Sequence, residues 1–146
     1  MEMMQSHVVS SLLLTRYVVY GQVLPPAGAA FVWFSSVAAL RGGSGAAVYS
    51  AAKGALIAAA RALAVELAAR RIRINVVSPG VVRTPQSEAF LAKLPADQLQ
   101  ALERAHLLGF GRPEDAAAAA AFLLSDDARW ITGTNLVADG GLSIHH

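Results

Sequence analysis

Residues 72–80 read Ile-Arg-Ile-Asn-Val-Val-Ser-Pro-Gly, a short β-branched run that stops in a turn. A run this short and largely apolar is typical of a strand covered on both faces, as strands of parallel sheets are. Proline and glycine both favour turns, so Pro79 and Gly80 mark the end of the run. We therefore predict a buried strand over residues 72–77.

Two further runs have the same character, one on each side of this strand. Residues 30–34 read Ala-Phe-Val-Trp-Phe and follow the turn at Pro25 and Pro26. Residues 135–138 read Asn-Leu-Val-Ala and end at a pair of glycines. Both runs are predicted to be strands.

The segments between these runs are rich in alanine, which favours helices. We predict one helix over residues 46–70 and another over residues 113–124, where the proline occupies the first turn. A third helical region, residues 87–105, is interrupted by Pro95.

Helices that alternate with strands in this way indicate a parallel α/β sheet with right-handed crossovers. The sequence has no internal repeat and no low-complexity linker, so we assign residues 1–146 to a single domain. We expect about three strands with flanking helices, a truncated Rossmann-like, doubly wound parallel sheet. The strand at residues 30–34 would then have an open edge, which apolar sheets rarely leave bare.

The composition limits the classes of function. Of the 146 residues, 55% are hydrophobic and 15% are charged, which excludes a disordered chain. The net charge is only +2 and the basic residues are scattered, so we expect no nucleic-acid partner. The early apolar stretch, residues 8–20, is too short to span a bilayer, so we expect a buried helix and no membrane insertion. The absence of cysteine fits a cytoplasmic protein.

Three side chains that can take part in proton transfer follow the first predicted strand. Tyr49 and Lys53 are four residues apart, so one face of the predicted helix presents both. Ser36 lies at the carboxyl end of the strand, where ligands bind in open α/β sheets. The alternative for Tyr49 and Lys53 is an ordinary pair on a helix surface.

The sequence resembles the short-chain dehydrogenase/reductase family in five motifs that occur in the family's order. They are residues 34–36 (Phe-Ser-Ser), 49–55 (Tyr-Ser-Ala-Ala-Lys-Gly-Ala), 75–85 (Asn-Val-Val-Ser-Pro-Gly-Val-Val-Arg-Thr-Pro), 111–115 (Gly-Arg-Pro-Glu-Asp) and 131–141 (Ile-Thr-Gly-Thr-Asn-Leu-Val-Ala-Asp-Gly-Gly). A single Tyr-x-x-x-Lys is a weak signal, whereas five motifs at the family's spacing are specific. The resemblance covers residues 6–142.

The resemblance implies an oxidoreductase that transfers hydride between NAD or NADP and an alcohol or carbonyl substrate. Tyr49 would be the acid/base at the substrate oxygen, and Ser36 would hydrogen-bond that oxygen. Lys53 would supply the positive charge that a phenol needs to act near neutral pH. Where the family normally carries a catalytic asparagine, this sequence has His7, whose charge varies near neutral pH. A histidine that is merely solvated is the alternative.

The resemblance also implies a cofactor site. Its residues are Tyr49, Lys53, Pro79, Gly80, Val82 and Thr84. The segment after the second strand would lie along the nicotinamide, and it is equally a turn whose proline and glycine are chosen for their backbone angles. The family's glycine-rich pyrophosphate turn has no counterpart in this sequence, so we expect little turnover from this chain alone, and NAD and NADP both stay open. The loop at residues 42–45 is interpreted as a flexible active-site loop.

The partners follow from the same resemblance. We expect a small-molecule alcohol or carbonyl substrate, with residues 86–110 as an apolar lid, and a homo-oligomer, dimer or tetramer, that packs through the helices at residues 8–20 and 46–70. A non-catalytic partner or scaffold that keeps the same residues for packing is the alternative function. His145 and His146 have no further ligands beside them, so we predict no metal site.

Overall fold

Three strands and six α-helices are present in the computed structural model, which describes residues 2–21, 23–25 and 27–145. Pro26 of the predicted turn and His146 of the terminal pair lie outside the described residues. The helices are α1 (Glu2–Met4), α2 (Ser10–Tyr20), α3 (Ala47–Leu67), α4 (Pro85–Leu91), α5 (Ala96–Ala105) and α6 (Pro113–Leu124). The strands are β1 (Ala29–Phe34), β2 (Ile72–Pro79) and β3 (Asn135–Ala138).

The strands form one parallel sheet in the order β1-β2-β3. Phe34 of β1 lies opposite Val77 of β2, and Pro79 of β2 lies opposite Ala138 of β3. β2 is the central strand, which explains why its residues are almost all buried. The predicted parallel α/β sheet is therefore confirmed.

Helices cover both faces of the sheet. Successive side chains of a strand point to opposite faces, so neighbouring residues of β2 contact different helices. Ile74 and Val76 pack against Leu56 of α3 on one face. Val77 packs against Leu123 of α6 on the other. This is the doubly wound arrangement that the sequence predicted.

Within the described residues, β1 has a strand partner along one edge only. The backbone N–H groups of Ala29 and Ser35 donate to Arg71 and Val77, at 3.3 and 2.8 Å. Backbone groups alternate along a strand, so the N–H and C=O groups of residues 30, 32 and 34 point away from β2. The open edge expected for the first strand is present.

The chain enters α2 through a π-helical turn, Gln5–Val9, that the sequence analysis missed. The helix predicted over residues 8–20 therefore begins earlier than expected, with α1 and the π turn before it. A π turn shifts the hydrogen bonds from i→i+4 to i→i+5 without any composition signal. Thr15 of α2 is buried and accepts a hydrogen bond of 3.2 Å from the indole Nε1–H of Trp33, which joins α2 to β1.

The stretch Ala47–Arg70, which is α3 with its final 3₁₀ turn, is long and apolar enough to cross a bilayer, by length and composition alone. From the sequence, only the shorter stretch at residues 8–20 was considered as a membrane span. In this fold α3 packs against β2, and it carries the buried, charged Lys53. A core helix of an α/β domain meets the same length criterion as a membrane span.

Candidate active site

Tyr49 and Lys53 lie on one face of α3, close to the carboxyl end of β1. The Lys53 Nζ atom is 5.7 Å from the centroid of the Tyr49 ring, which is a cation–π distance. The spacing of four residues produces this contact, because such residues are neighbours on a helix surface. Lys53 is only 8% exposed, whereas Tyr49 is half-buried.

Lys53 is also tied to the open edge of the sheet. Its Nζ donates a hydrogen bond of 3.1 Å to the backbone oxygen of Phe34, one of the groups of β1 that point away from β2. The Ser35 hydroxyl donates to the backbone oxygen of Lys53 at 2.8 Å. Burial lowers the pKa of Lys53, since a charged amine loses hydration there. The ammonium is therefore held firmly and gives up its proton more readily than a solvated lysine.

Ser36 lies two residues beyond the end of β1. Its Oγ accepts a hydrogen bond of 3.2 Å from the backbone N–H of Ala38 and so caps the 3₁₀ turn Val37–Ala39. A hydroxyl that accepts one bond still has its own proton to donate. Ser36 is half-buried at the carboxyl edge of the sheet, two residues beyond the carbonyl that Lys53 contacts.

The π-helical turn brings His7 to Tyr49. The two ring centroids are 6.2 Å apart and the rings meet edge to face, at 81°. Burial, followed by the positive charge of Lys53, lowers the pKa of His7 and favours its neutral form. Three of the four residues expected to be catalytic, His7, Tyr49 and Lys53, thus form one cluster, and Ser36 follows the strand that holds Lys53.

The residues expected along the cofactor begin at the end of β2. Pro79 is the last residue of β2, and Gly80 donates its N–H to Ala138 at 3.1 Å. Gly80 does not adopt a positive φ, so its own backbone conformation does not require a glycine. A Cβ at Gly80 would lie 3.0 Å from the Cα of Asp139. The close approach of these two segments of the chain therefore explains the glycine.

Val82 and Thr84 mark where the chain leaves the sheet. Val82 forms a parallel bridge with Gly111, just before α6. Thr84 caps α4, because its hydroxyl accepts the backbone N–H of Ser87 at 3.1 Å and its own N–H donates to the Ser87 hydroxyl at 2.8 Å. Residues 86–110, the segment expected to form the lid, therefore start and finish beside the same point, the bridge between Val82 and Gly111.

Two buried polar residues at this edge were missed by the sequence analysis. His106 is 3% exposed and Asp139 is 9% exposed. Burial raises the pKa of Asp139, but hydrogen bonds from Ser143 and Gly141 and the nearby His106 ring together outweigh it, so the pKa is lowered. Asp139 precedes two glycines, which is a turn signal. His106 follows a helix of ordinary composition and has no such signal.

The chemistry of these side chains fits the nicotinamide side of a dinucleotide. The Lys53 ammonium can donate to ribose hydroxyls, and the Tyr49 and Ser36 hydroxyls can donate to or accept from a substrate oxygen. The residues described by the structure contain no group of three or more His, Asp or Glu side chains that could hold a metal ion.

Comparison with known proteins adds independent information. The profile of the enoyl-(acyl carrier protein) reductase family matches residues 1–143. A probable short-chain type dehydrogenase/reductase of Bradyrhizobium diazoefficiens is 44% identical over 119 residues, which are 81% of this chain and 41% of that protein.

Solved structures resemble the fold over almost all of the chain. A 4-hydroxyisoleucine dehydrogenase complexed with NADH matches with a TM-score of 0.88 and 31% identity, over 98% of this chain and 58% of that one. An angucycline C-6 ketoreductase with bound NADP matches with a TM-score of 0.85 and 26% identity, over 97% and 52%. The chain spans about half the length of the relatives it matches. The family profile, the relatives and the fold agree, and the chain belongs to the short-chain dehydrogenase/reductase family of oxidoreductases.

Proposed function

We propose that this chain is the catalytic part of an NAD(P)-dependent dehydrogenase or reductase that acts on an alcohol or carbonyl group. The observation that carries the proposal is the Lys53 ammonium, held 5.7 Å from the centroid of the Tyr49 ring at the carboxyl edge of the sheet. The dehydrogenase bound to NADH and the ketoreductase bound to NADP support a nicotinamide dinucleotide as the cofactor.

Tyr49 is the acid/base in this proposal. In carbonyl reduction its hydroxyl gives a proton to the substrate oxygen, and in alcohol oxidation the phenolate takes that proton back. A bound nicotinamide would supply or accept the hydride. The Lys53 ammonium places a positive charge beside the ring that exchanges this proton.

Ser36 and His7 support this proton transfer. Ser36 keeps a free hydroxyl proton with which to bind the substrate oxygen next to Tyr49. His7 meets the edge of the Tyr49 ring and has a lowered pKa, so its neutral ring can accept a proton or hold a water molecule. The pKa of Lys53 is also lowered, so this amine can pass a proton onward.

A titration with separate halves of the cofactor tests the proposal. Nicotinamide mononucleotide and AMP are added in parallel to ¹⁵N-labelled chain, and backbone amide resonances are followed by NMR. We expect the nicotinamide half to shift the resonances of Tyr49, Lys53, Val82 and Thr84, and AMP to leave them unchanged. Lys53→Met should abolish the response, because it removes the ribose-binding ammonium.

Two results contradict the proposal. One is the absence of any shift at these four residues with the nicotinamide half, which would favour the alternative that Tyr49 and Lys53 serve packing alone. The other is an equal response in the Lys53→Met variant. A Lys53→Arg variant serves as a matched control, since it retains a positive charge at the same position of α3.

A further inference from the structure

His106 occupies a junction between three segments of the carboxyl edge. It follows α5, the last helix of the lid segment, and only 3% of it is exposed. Its Nδ1 lies 2.8 Å from the backbone oxygen of Leu102. Its Nε2 accepts a hydrogen bond of 3.1 Å from the backbone N–H of Val81, immediately after the β2 turn.

These two bonds fix the protonation state of the ring. A carbonyl oxygen only accepts, so Nδ1 must carry a proton to bond Leu102. A backbone N–H only donates, so Nε2 must be free of a proton to bond Val81. Only the neutral ring with its proton on Nδ1 makes both bonds. A second proton, on Nε2, would place two donors face to face and break the bond to Val81.

Other contacts between the lid and the segment after β2 lie at the same place. The Phe110 ring meets the His106 ring edge to face at 5.0 Å, and the Arg83 guanidinium lies 5.2 Å from the Phe110 centroid. Arg83 also pairs with Glu88 of α4 at 2.8 Å and with Glu103 of α5 at 3.6 Å. The segment after β2 therefore holds the lid by an ion-pair cluster at the surface and by one buried histidine.

The charged and titratable groups around His106 come from three segments. Asp139 lies in the turn after β3 and interacts with the ring. Glu103 and Arg104 precede His106 near the end of α5. Arg83, after β2, contacts the Phe110 ring, which packs on the imidazole.

We propose that His106 is a positioning residue whose neutral imidazole latches the segment Pro79–Val82 to the lid, and whose protonation releases that latch. The segment is the one expected along the nicotinamide, so its effect on the cofactor rests on the proposed function. The latch itself requires only the bonds to Leu102 and Val81. The segment is ordered while the imidazole is neutral and loosens when the ring takes up a second proton.

NMR of the ¹⁵N-labelled chain tests the latch without any cofactor. At about pH 8 the imidazole resonances of His106 should report the neutral tautomer with an unprotonated Nε2 and a protonated Nδ1. Hydrogen exchange of the Val81 amide is expressed relative to the unstructured rate at each pH. On acidification its protection should fall about tenfold once the imidazole resonances report that His106 is protonated. His106→Leu should lose the same protection at about pH 8, and His106→Gln, which retains an acceptor and a donor, should keep most of it.

His145→Gln is the control, because His145 is exposed near the chain end and should leave Val81 unaffected. A His106 ring with its proton on Nε2 at about pH 8 would overturn the proposal. So would a Val81 protection that is unchanged both by acid and by His106→Leu. If His106→Leu fails to fold, the tautomer and the acid response of the wild-type chain still decide. Failure of the nicotinamide titration with an intact latch would count against the proposed function alone.

Discussion

Lys53 is the residue at the centre of the candidate site, because its ammonium contacts both the Tyr49 ring and the carbonyl of Phe34. The first contact could be predicted, since residues four apart share a helix face. The second could not, because it depends on where the fold places α3 against the end of β1. His106 was missed for a related reason: its bond to Val81 joins residues that are 25 positions apart and that only the fold brings together.

His7 provides a prediction at the residue scale. Its pKa is lowered in the folded chain, so on acidification the unfolded chain takes up the proton first and stability is lost. The loss of stability begins as the pH falls through the pKa that His7 has in the unfolded chain. It is complete once the pH lies below the pKa that His7 has in the folded chain. We expect His7→Asn to remove this part of the acid sensitivity. Its free energy of unfolding in urea should fall less than that of the wild type between about pH 7.5 and about pH 5.

The exposed His145 offers the matched variant, His145→Asn, which should keep the wild-type pH profile. Far-UV circular dichroism follows unfolding in all three proteins. If His7→Asn loses as much stability as the wild type over this range, the pKa of His7 is not lowered as its partial burial and the charge of Lys53 imply.

At the scale of elements, the strands were predicted to within about two residues because each ends in a turn signal that sequence displays. β2 continues two residues beyond its predicted end, since Ser78 and Pro79 still pair with β3. Pro95 does separate α4 from α5, as expected. The π turn before α2 was missed because its extra residue leaves no periodic pattern.

The link between α2 and β1 gives a prediction at this scale. Trp33→Phe removes the indole donor and leaves the hydroxyl of Thr15, which is 3% exposed, without that partner. An unsatisfied buried hydroxyl costs about 1–3 kcal/mol, so the free energy of unfolding should fall by about that amount. Urea unfolding followed by circular dichroism measures it.

Trp130→Phe is the control for this change, because Trp130 is 96% exposed and its substitution should alter stability by less than about 0.5 kcal/mol. Equal unfolding midpoints for the two variants would show that the hydrogen bond between Trp33 and Thr15 contributes nothing.

At the scale of the whole molecule, α2 and α3 leave a large apolar surface uncovered. Leu14, Tyr17 and Tyr20 of α2 are each at least 67% exposed, and Val65 of α3 is 80% exposed. A groove between the two helices is lined by Leu12, Thr15, Arg16, Val19, Tyr20, Leu63, Glu66 and Leu67. Apolar patches of this kind mark interaction surfaces.

We predict that a second copy of the chain packs on this surface to form a homodimer. Light scattering coupled to size-exclusion chromatography should give twice the chain mass at micromolar concentration. Tyr17→Glu should give the monomer mass, because it places a charge in the contact. Phe90→Glu changes an exposed ring of α4, on the lid, and should leave the dimer intact. A stable wild-type monomer would contradict this arrangement.

The bridge between Val82 and Gly111 has a consequence for how such a protein can diversify. Both ends of the lid segment are fixed by helix caps, at Thr84 with Ser87 and at Arg112, whose N–H donates to Asp115 at 2.7 Å. The entropy of closing a loop between fixed ends rises only slowly with its length. We therefore expect insertions between these anchors, away from His106, to leave the sheet and the pair Tyr49 and Lys53 in place. The segment expected to form the lid can then vary in length and sequence, and with it the ligands that fit, without moving the residues proposed for proton transfer.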